Sequence, residues 1–246
     1  MTANLETVQV IVVADARELA LRAADQIALE IAAKPDLSLL AATGNTPMGA
    51  YAELAARKSS GTLETSGLRV AQLDEYLGVG DDDPRSLYRW LETSLTGPLG
   101  VTRERLVRFA GNAADADADC AAFDAAIAAW GGIDLAVLGL GPNGHLGFNE
   151  PPSVADAPTR VVTLSPASLE SNAGYWGGLD VPNRAVTAGM NLILSSKRVL
   201  LLVSGAHKHE ILHRALTEPI TPDLPASLLR CTTLTVIADE AAWGVS

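Results

Sequence analysis

Short apolar runs alternate along this chain with longer stretches in which apolar positions recur every three or four residues. Residues 8–14, 37–42 and 68–73 read as strands, and the apolar runs 135–140 and 199–204 have the pattern of buried parallel strands. Between them, 15–33 is Ala-rich and amphipathic, and 86–95 sets Leu87, Trp90, Leu91 and Leu95 on one side of a helix. The segment DADADCAAFDAAIAAW keeps its acids in the first turns of a predicted helix, where they complement the dipole. Thr46-Pro47 and Ser165-Pro166 read as helix starts, a capping hydroxyl followed by proline, so Thr46 is the expected N-cap. Residues 105–109, 159–164 and 236–239 predict further strands and 206–217 a helix, while 185–194 fits either. Strands alternate with helices without repeat, linker or low-complexity tract. That pattern predicts one α/β domain over residues 1–246, its sheet largely parallel and flanked by helices.

Composition narrows the function classes. Of 246 residues, 18 are Lys or Arg against 29 Asp or Glu, a net charge of -11 that speaks against a broad nucleic-acid surface. One small anion remains acceptable, because helix termini and a single lysine can make one site positive. No apolar run reaches the ~18 residues a membrane helix needs, and residues 1–10 lack the basic and apolar regions of a secretory signal. Two cysteines, Cys120 and Cys231, fit a reduced cytoplasmic protein.

Three places carry candidate chemistry. The strand at 135–140 breaks into Gly141-Pro142-Asn143-Gly144, then presents His145, Asn149 and Glu150 where open α/β sheets place their sites. The strand at 68–73 delivers Asp74, Glu75 and Tyr76, which fit either a solvated turn or a second acidic group beside His145. The strand at 37–42 ends in Thr43-Gly44-Asn45-Thr46, a Gly loop before a helix that could cradle an anion or be a plain turn; it has neither the Walker lysine nor a G-x-G-x-x-G pattern. A fourth pattern, His209-Glu210-Ile211-Leu212-His213, has the zincin spacing, but no third ligand follows it.

Taken together, ATGNTPMGAYAEL (42–54), QLDEYLG (72–78), DPRSLYRWL (83–91), IDLAVLGLGPNGHLGFNEP (133–151), VTAGMNLILSSKRVLLLVSGAHKHEILHRAL (186–216) and PITPDLPASLL (219–229) resemble the glucosamine-6-phosphate deaminase family. The resemblance spans nearly the whole chain in order. GHLGFNEP is its most specific part, since the related 6-phosphogluconolactonases share the Gly-His portion and not the Phe-Asn-Glu-Pro.

The resemblance implies a Rossmann-like fold and hydrolytic isomerisation of an amino sugar phosphate to a ketose phosphate and ammonia. It implies no metal and no organic cofactor, no nucleic-acid or membrane partner, and allows a homo-oligomer. By resemblance, Asp74 is the base that moves a proton between C2 and C1, and His145 opens the sugar ring with Glu150. Thr43, Gly44, Asn45 and Thr46 hold sugar and phosphate, and Lys208 reaches the phosphate. Three positions depart from the pattern. Asn143 stands where many members have Asp; it can accept an imidazole N–H but cannot offset an imidazolium charge. Gly174 stands where many have a phosphate-gripping arginine. Ser153 and Arg160 match an effector site of some hexameric members, but Val162 replaces its lysine, which argues against activation by an amino sugar phosphate. The competing readings are a lactonase or isomerase of another phosphorylated sugar and a non-catalytic sensor.

Overall fold

Alternation decides the architecture. In each central strand, successive side chains enter opposite layers: Leu39, Val70, Leu135, Val137, Leu200 and Leu202 pack to one side, and Leu40, Ala71, Ala136, Leu138, Leu201 and Val203 to the other. Both faces are therefore covered by helices, which is why these strands read as continuous apolar runs.

The computed structural model describes residues 8–245. The chain runs β1 (Val8–Val13), α1 (Ala16–Ala33), β2 (Ser38–Ala41), α2 (Asn45–Ser59), β3 (Arg69–Gln72), β4 (Asp74–Tyr76), α3 (Leu87–Leu91), β5 (Leu106–Val107), α4 (Ala116–Ala129), β6 (Leu135–Gly139), β7 (Arg160–Thr163), α5 (Pro166–Ala173), β8 (Arg184–Thr187), α6 (Met190–Leu194), β9 (Arg198–Val203), α7 (His209–Thr217), β10 (Leu234–Asp239) and α8 (Glu240–Trp243). Seven strands form a sheet in the order β1-β10-β9-β6-β2-β3-β5, and every pairing in it is parallel. The fold class is the expected Rossmann-like α/β arrangement. From β2 the chain builds outward through β3 to β5, then returns to β6 and builds the other way. The strand order thus reverses between β2 and β6, the place where such sheets open a crevice at their carboxyl edge.

A second sheet, β4-β8-β7, is antiparallel, and of the two readings open for 74–76 it removes the solvated turn. Leu73 is the transfer point: its N–H donates to Ala41 of the large sheet at 3.1 Å, and its carbonyl accepts from Ala188 at 2.8 Å. The chain thereby leaves one sheet for the other without a loop. The ambiguous stretch 185–194 divides into the end of β8 and helix α6. Helix α2 begins at Asn45 with Gly44 as N-cap (φ 98°), so Thr46 lies inside the first turn and is not the cap. Residues 206–208 form a 3₁₀ turn ahead of α7. An aromatic cluster of Tyr76, Phe148, Trp176 and Trp90, with ring centroids 5.3–5.9 Å apart, fastens the small sheet to the segment after α5.

Candidate active site

The carboxyl ends of four neighbouring strands, β9, β6, β2 and β3, open onto one cleft of about 740 Å³. The cleft is lined by Thr43, Gly44, Asn45 and Thr46 after β2, Asp74 after β3, His145 after β6, and Lys208 after β9. The residues singled out in sequence therefore meet in space, with two exceptions, Glu150 and Asn143.

Asp74 and Glu75 are both buried, at 7% and 1% exposure, yet alternation along β4 sends them to different surroundings. The Glu75 carboxylate accepts hydrogen bonds from the N–H groups of Tyr76 (2.8 Å), Leu87 (2.9 Å) and Tyr88 (2.7 Å), from Ser86 Oγ (2.9 Å) and from Gln72 Nε2 (3.2 Å). It caps α3 and is structural. Burial still lifts its carboxyl above the ordinary value, with those donors pulling the other way. Asp74 lines the cleft with no cation paired to it. Desolvation, and then the charge of Glu75, push its carboxyl up to about 8.

The imidazole of His145 lies flat against Gly141, where any side chain would place its Cβ 2.2–2.4 Å from the ring. The same loop brings Gly147 against Asp74, since a Cβ there would stand 3.2 Å from Asp74 Oδ2. Burial lowers the His145 pKa to about 4; Glu150 acts against this and Lys208 adds to it. The ring is therefore neutral at pH 7, not poised at neutrality as its unperturbed value suggests, and its Nδ1 is buried without a partner.

Asn143 does not orient that ring. Its Oδ1 accepts the backbone N–H of His145 at 3.2 Å, so it serves the turn and not the imidazole. Glu150 lies outside the cleft wall. Its oxygens accept from Ser165 N–H (2.9 Å) and Ser165 Oγ (3.0 Å), tying the His145 loop to the start of α5. Its influence on the cleft passes through the field at His145.

Two features of the cleft suit an anion. Gly44 offers no side chain to cap α2, so the first-turn N–H groups of this 15-residue helix are left for a ligand. Lys208, half-buried, makes no ion pair with any described carboxylate, whereas Lys34, Lys58 and Lys197 all do. Burial lowers its pKa, because desolvation disfavours the ammonium form. Gly174 also lines the cleft, with open space where a side chain would begin.

Several lining residues were not singled out in sequence: Tyr76, Trp90, Asn172, Tyr175, Ser204 and His207. Tyr76 had a signal, since it lies two residues from Asp74 and so on the same strand face. Ser204 and His207 share the loop of Lys208. Asn172 and Tyr175 had none. The zincin-like spacing assembles no three-ligand group. His209 and His213 ring centroids are 6.4 Å apart, His209 Nδ1 lies 3.3 Å from the Ala242 carbonyl, and no cluster of three metal-ligating side chains occurs among the described residues. At the effector-like position, Arg160 is engaged with Asn149 Oδ1 (2.7 Å) and Ser153 Oγ (3.2 Å), and Val162 packs into the aromatic cluster.

Comparison with known proteins places the chain in a family and a fold. The family described as glucosamine-6-phosphate isomerases/6-phosphogluconolactonase matches residues 13–238. A glucosamine-6-phosphate deaminase of Streptomyces coelicolor is 38% identical over 237 residues, covering 95% of this chain and 91% of that protein. One from a Geobacillus species is 37% identical, covering 93% and 92%. The solved structure of a monomeric glucosamine-6-phosphate deaminase superposes with a TM-score of 0.92 at 36% identity, over 97% of this chain and all of the other. A Trypanosoma cruzi 6-phosphogluconolactonase, at 22% identity and a TM-score of 0.78 over 96% of each chain, shares the fold. Among the described residues no helix is long and apolar enough to cross a membrane.

Proposed function

This chain belongs to the family of glucosamine-6-phosphate isomerases and 6-phosphogluconolactonases, and from that premise we propose that it converts D-glucosamine 6-phosphate and water to D-fructose 6-phosphate and ammonia. The observation that carries the reading is the meeting, in one cleft, of a buried carboxylate and a lysine without ion-pair partners among the described residues, a neutral imidazole and an uncapped helix start.

The chemistry follows from those groups. Neutral His145 accepts the C1 hydroxyl proton and returns it to the ring oxygen, opening the sugar to its aldehyde; the Glu150 charge stabilises the transient imidazolium. Asp74 takes the proton from C2 and delivers it to C1 through an enolamine. The resulting C2 iminium adds water and expels ammonia. Burial holds Asp74 protonated to about pH 8. A substrate bearing an ammonium group brings the positive charge that favours its ionised form, so binding prepares the base. Thr43, Gly44, Asn45, Thr46 and Lys208 hold the sugar and its phosphate.

Deaminase names on the relatives at 37–38% identity support this reading over a lactonase, since the lactonases resemble the chain in fold alone. A monomeric glucosamine-6-phosphate deaminase among the solved relatives supports a catalytic unit made of one chain. The unpaired Cys120 and Cys231 support a cytoplasmic setting. The test is ammonia release across phosphorylated and free amino sugars, with 6-phosphogluconolactone as a further substrate. Release from glucosamine 6-phosphate is expected; lactone hydrolysis without it would reassign the site.

A further inference from the structure

Resting on that reading, we propose that His207 is a second cationic contact for the substrate phosphate, working beside Lys208 as a specificity-determining residue of this chain. A phosphate monoester carries about -1.5 to -2 near pH 7, and Lys208 supplies one positive charge. Apart from His145, which burial keeps neutral, the only other basic side chain among the described residues lining the cleft is His207. No arginine reaches it.

The local backbone holds His207 in place. Gly205 has φ 96°, a conformation that disfavours a side chain, and a Cβ there would stand 2.9 Å from Cε1 and Nδ1 of His207. The imidazole thus folds back over Gly205, on the turn that leads to Lys208. That turn is fastened from below by Asp239, whose carboxylate accepts from Ser204 Oγ (2.5 Å) and from Gly205 N–H (3.0 Å), and also caps α8 through Ala242 N–H (2.7 Å). Burial of Asp239 acts the other way, but these donors and the nearby His207 charge hold its carboxyl below the ordinary value. Asp239 is therefore spent on the turn, and the outer side of His207 remains exposed to the cleft. Ser204, His207 and Lys208 line the same cleft as the α2 start with Thr43 to Thr46.

His207 is exposed, so replacing it disturbs no core contact. Two measurements on the purified full chain test the role: calorimetric titration with inorganic phosphate, and steady-state kinetics with glucosamine 6-phosphate and with free glucosamine. His207→Ala is expected to weaken phosphate binding about 10-fold and to raise KM for the phosphorylated sugar about 10-fold. The loss should fall on KM and not on kcat, and leave KM for free glucosamine in place. His207→Arg, which keeps a cation with forked donors, should restore both. An alanine variant that binds phosphate as tightly as the unmodified protein, or an arginine variant no better than alanine, overturns the assignment. Failure of the unmodified protein to release ammonia would instead strike the deaminase reading, while the phosphate titration still decides His207.

Discussion

Asp74 and Asp134 are equally buried, each 7% exposed, and lie at opposite edges of the same sheet. At the amino edge, Asp134 accepts from Lys34 Nζ (2.5 Å), Lys197 Nζ (2.7 Å), Ser38 N–H (2.9 Å) and Ser38 Oγ (2.8 Å). Despite the burial, these partners hold its carboxyl far below the ordinary range. At the carboxyl edge, Asp74 has no such company and is lifted to about 8. With the same exposure, the same side chain becomes a fixed ion in one place and a proton-exchanging group in the other, because Asp134 has its partners and Asp74 is the more completely desolvated of the two. The cations divide in the same way: Lys34 and Lys197 are paired, Lys208 is not. Asp134 and its lysines at the amino edge satisfy one another, while Asp74 and Lys208, which line the cleft, are left for a ligand.

The largest effect expected from breaking this contrast is at Asp74. Asp74→Asn should lower ammonia release by on the order of 10²–10⁴, the range for loss of a general base, while the chain remains folded. The same variant should gain stability with a particular pH course. The folded carboxyl keeps its proton to about pH 8, whereas the unfolded one releases it near 3.8. The native protein therefore loses stability as pH rises between those values, and asparagine does not. The advantage of the variant, followed by thermal unfolding, should grow from about pH 4 to about pH 8 and then level off.

In the unmodified protein, kcat/KM, which reports the free enzyme, should fall towards tenfold per pH unit well below about 8, the value to which Asp74 is lifted. A profile flat from pH 6 to 9 would show that the carboxylate ionises like an exposed one. For the unpaired cation, Lys208→Ala should raise KM for the phosphorylated sugar about 10- to 100-fold, as one charge-assisted hydrogen bond of roughly 1.5–3 kcal/mol implies. Asp134→Asn is the converse control. It should cost roughly 1.5–3 kcal/mol of stability in denaturant unfolding and leave KM where it was. The smallest effect is expected at His209. His209→Ala should change ammonia release less than about twofold, as should chelation, because the ring is engaged with the Ala242 carbonyl and joins no three-ligand group.

Much of this molecule is legible without coordinates, and the reason is periodicity. Apolar runs of four to six residues, separated by helix-period segments, can satisfy both faces of a strand only in a helix-covered parallel sheet. Hence β2, β6 and β9 were readable within about a residue. The Gly-rich breaks after those strands were equally visible, because a chain leaving a buried strand must turn. The residues on them, Thr43 to Thr46, His145 and Lys208, do share one cleft.

Tertiary structure decided what depends on partners far away in sequence. Whether Asp74 or Glu75 faces the cleft was settled by Leu73 passing the chain from one sheet to the other and by the α3 start collecting Glu75. The local pattern of two adjacent acids holds no trace of either event. That Asn143 serves a backbone N–H, that Glu150 stands behind the wall, and that His145 is neutral all follow from burial and from contacts with α5 and the loop itself. Sequence determined which segments become strands and which loops gather at the carboxyl edge, because hydrophobic spacing acts over a few residues. The ionisation of the side chains on those loops was left to the fold, because desolvation and charge pairing act through space.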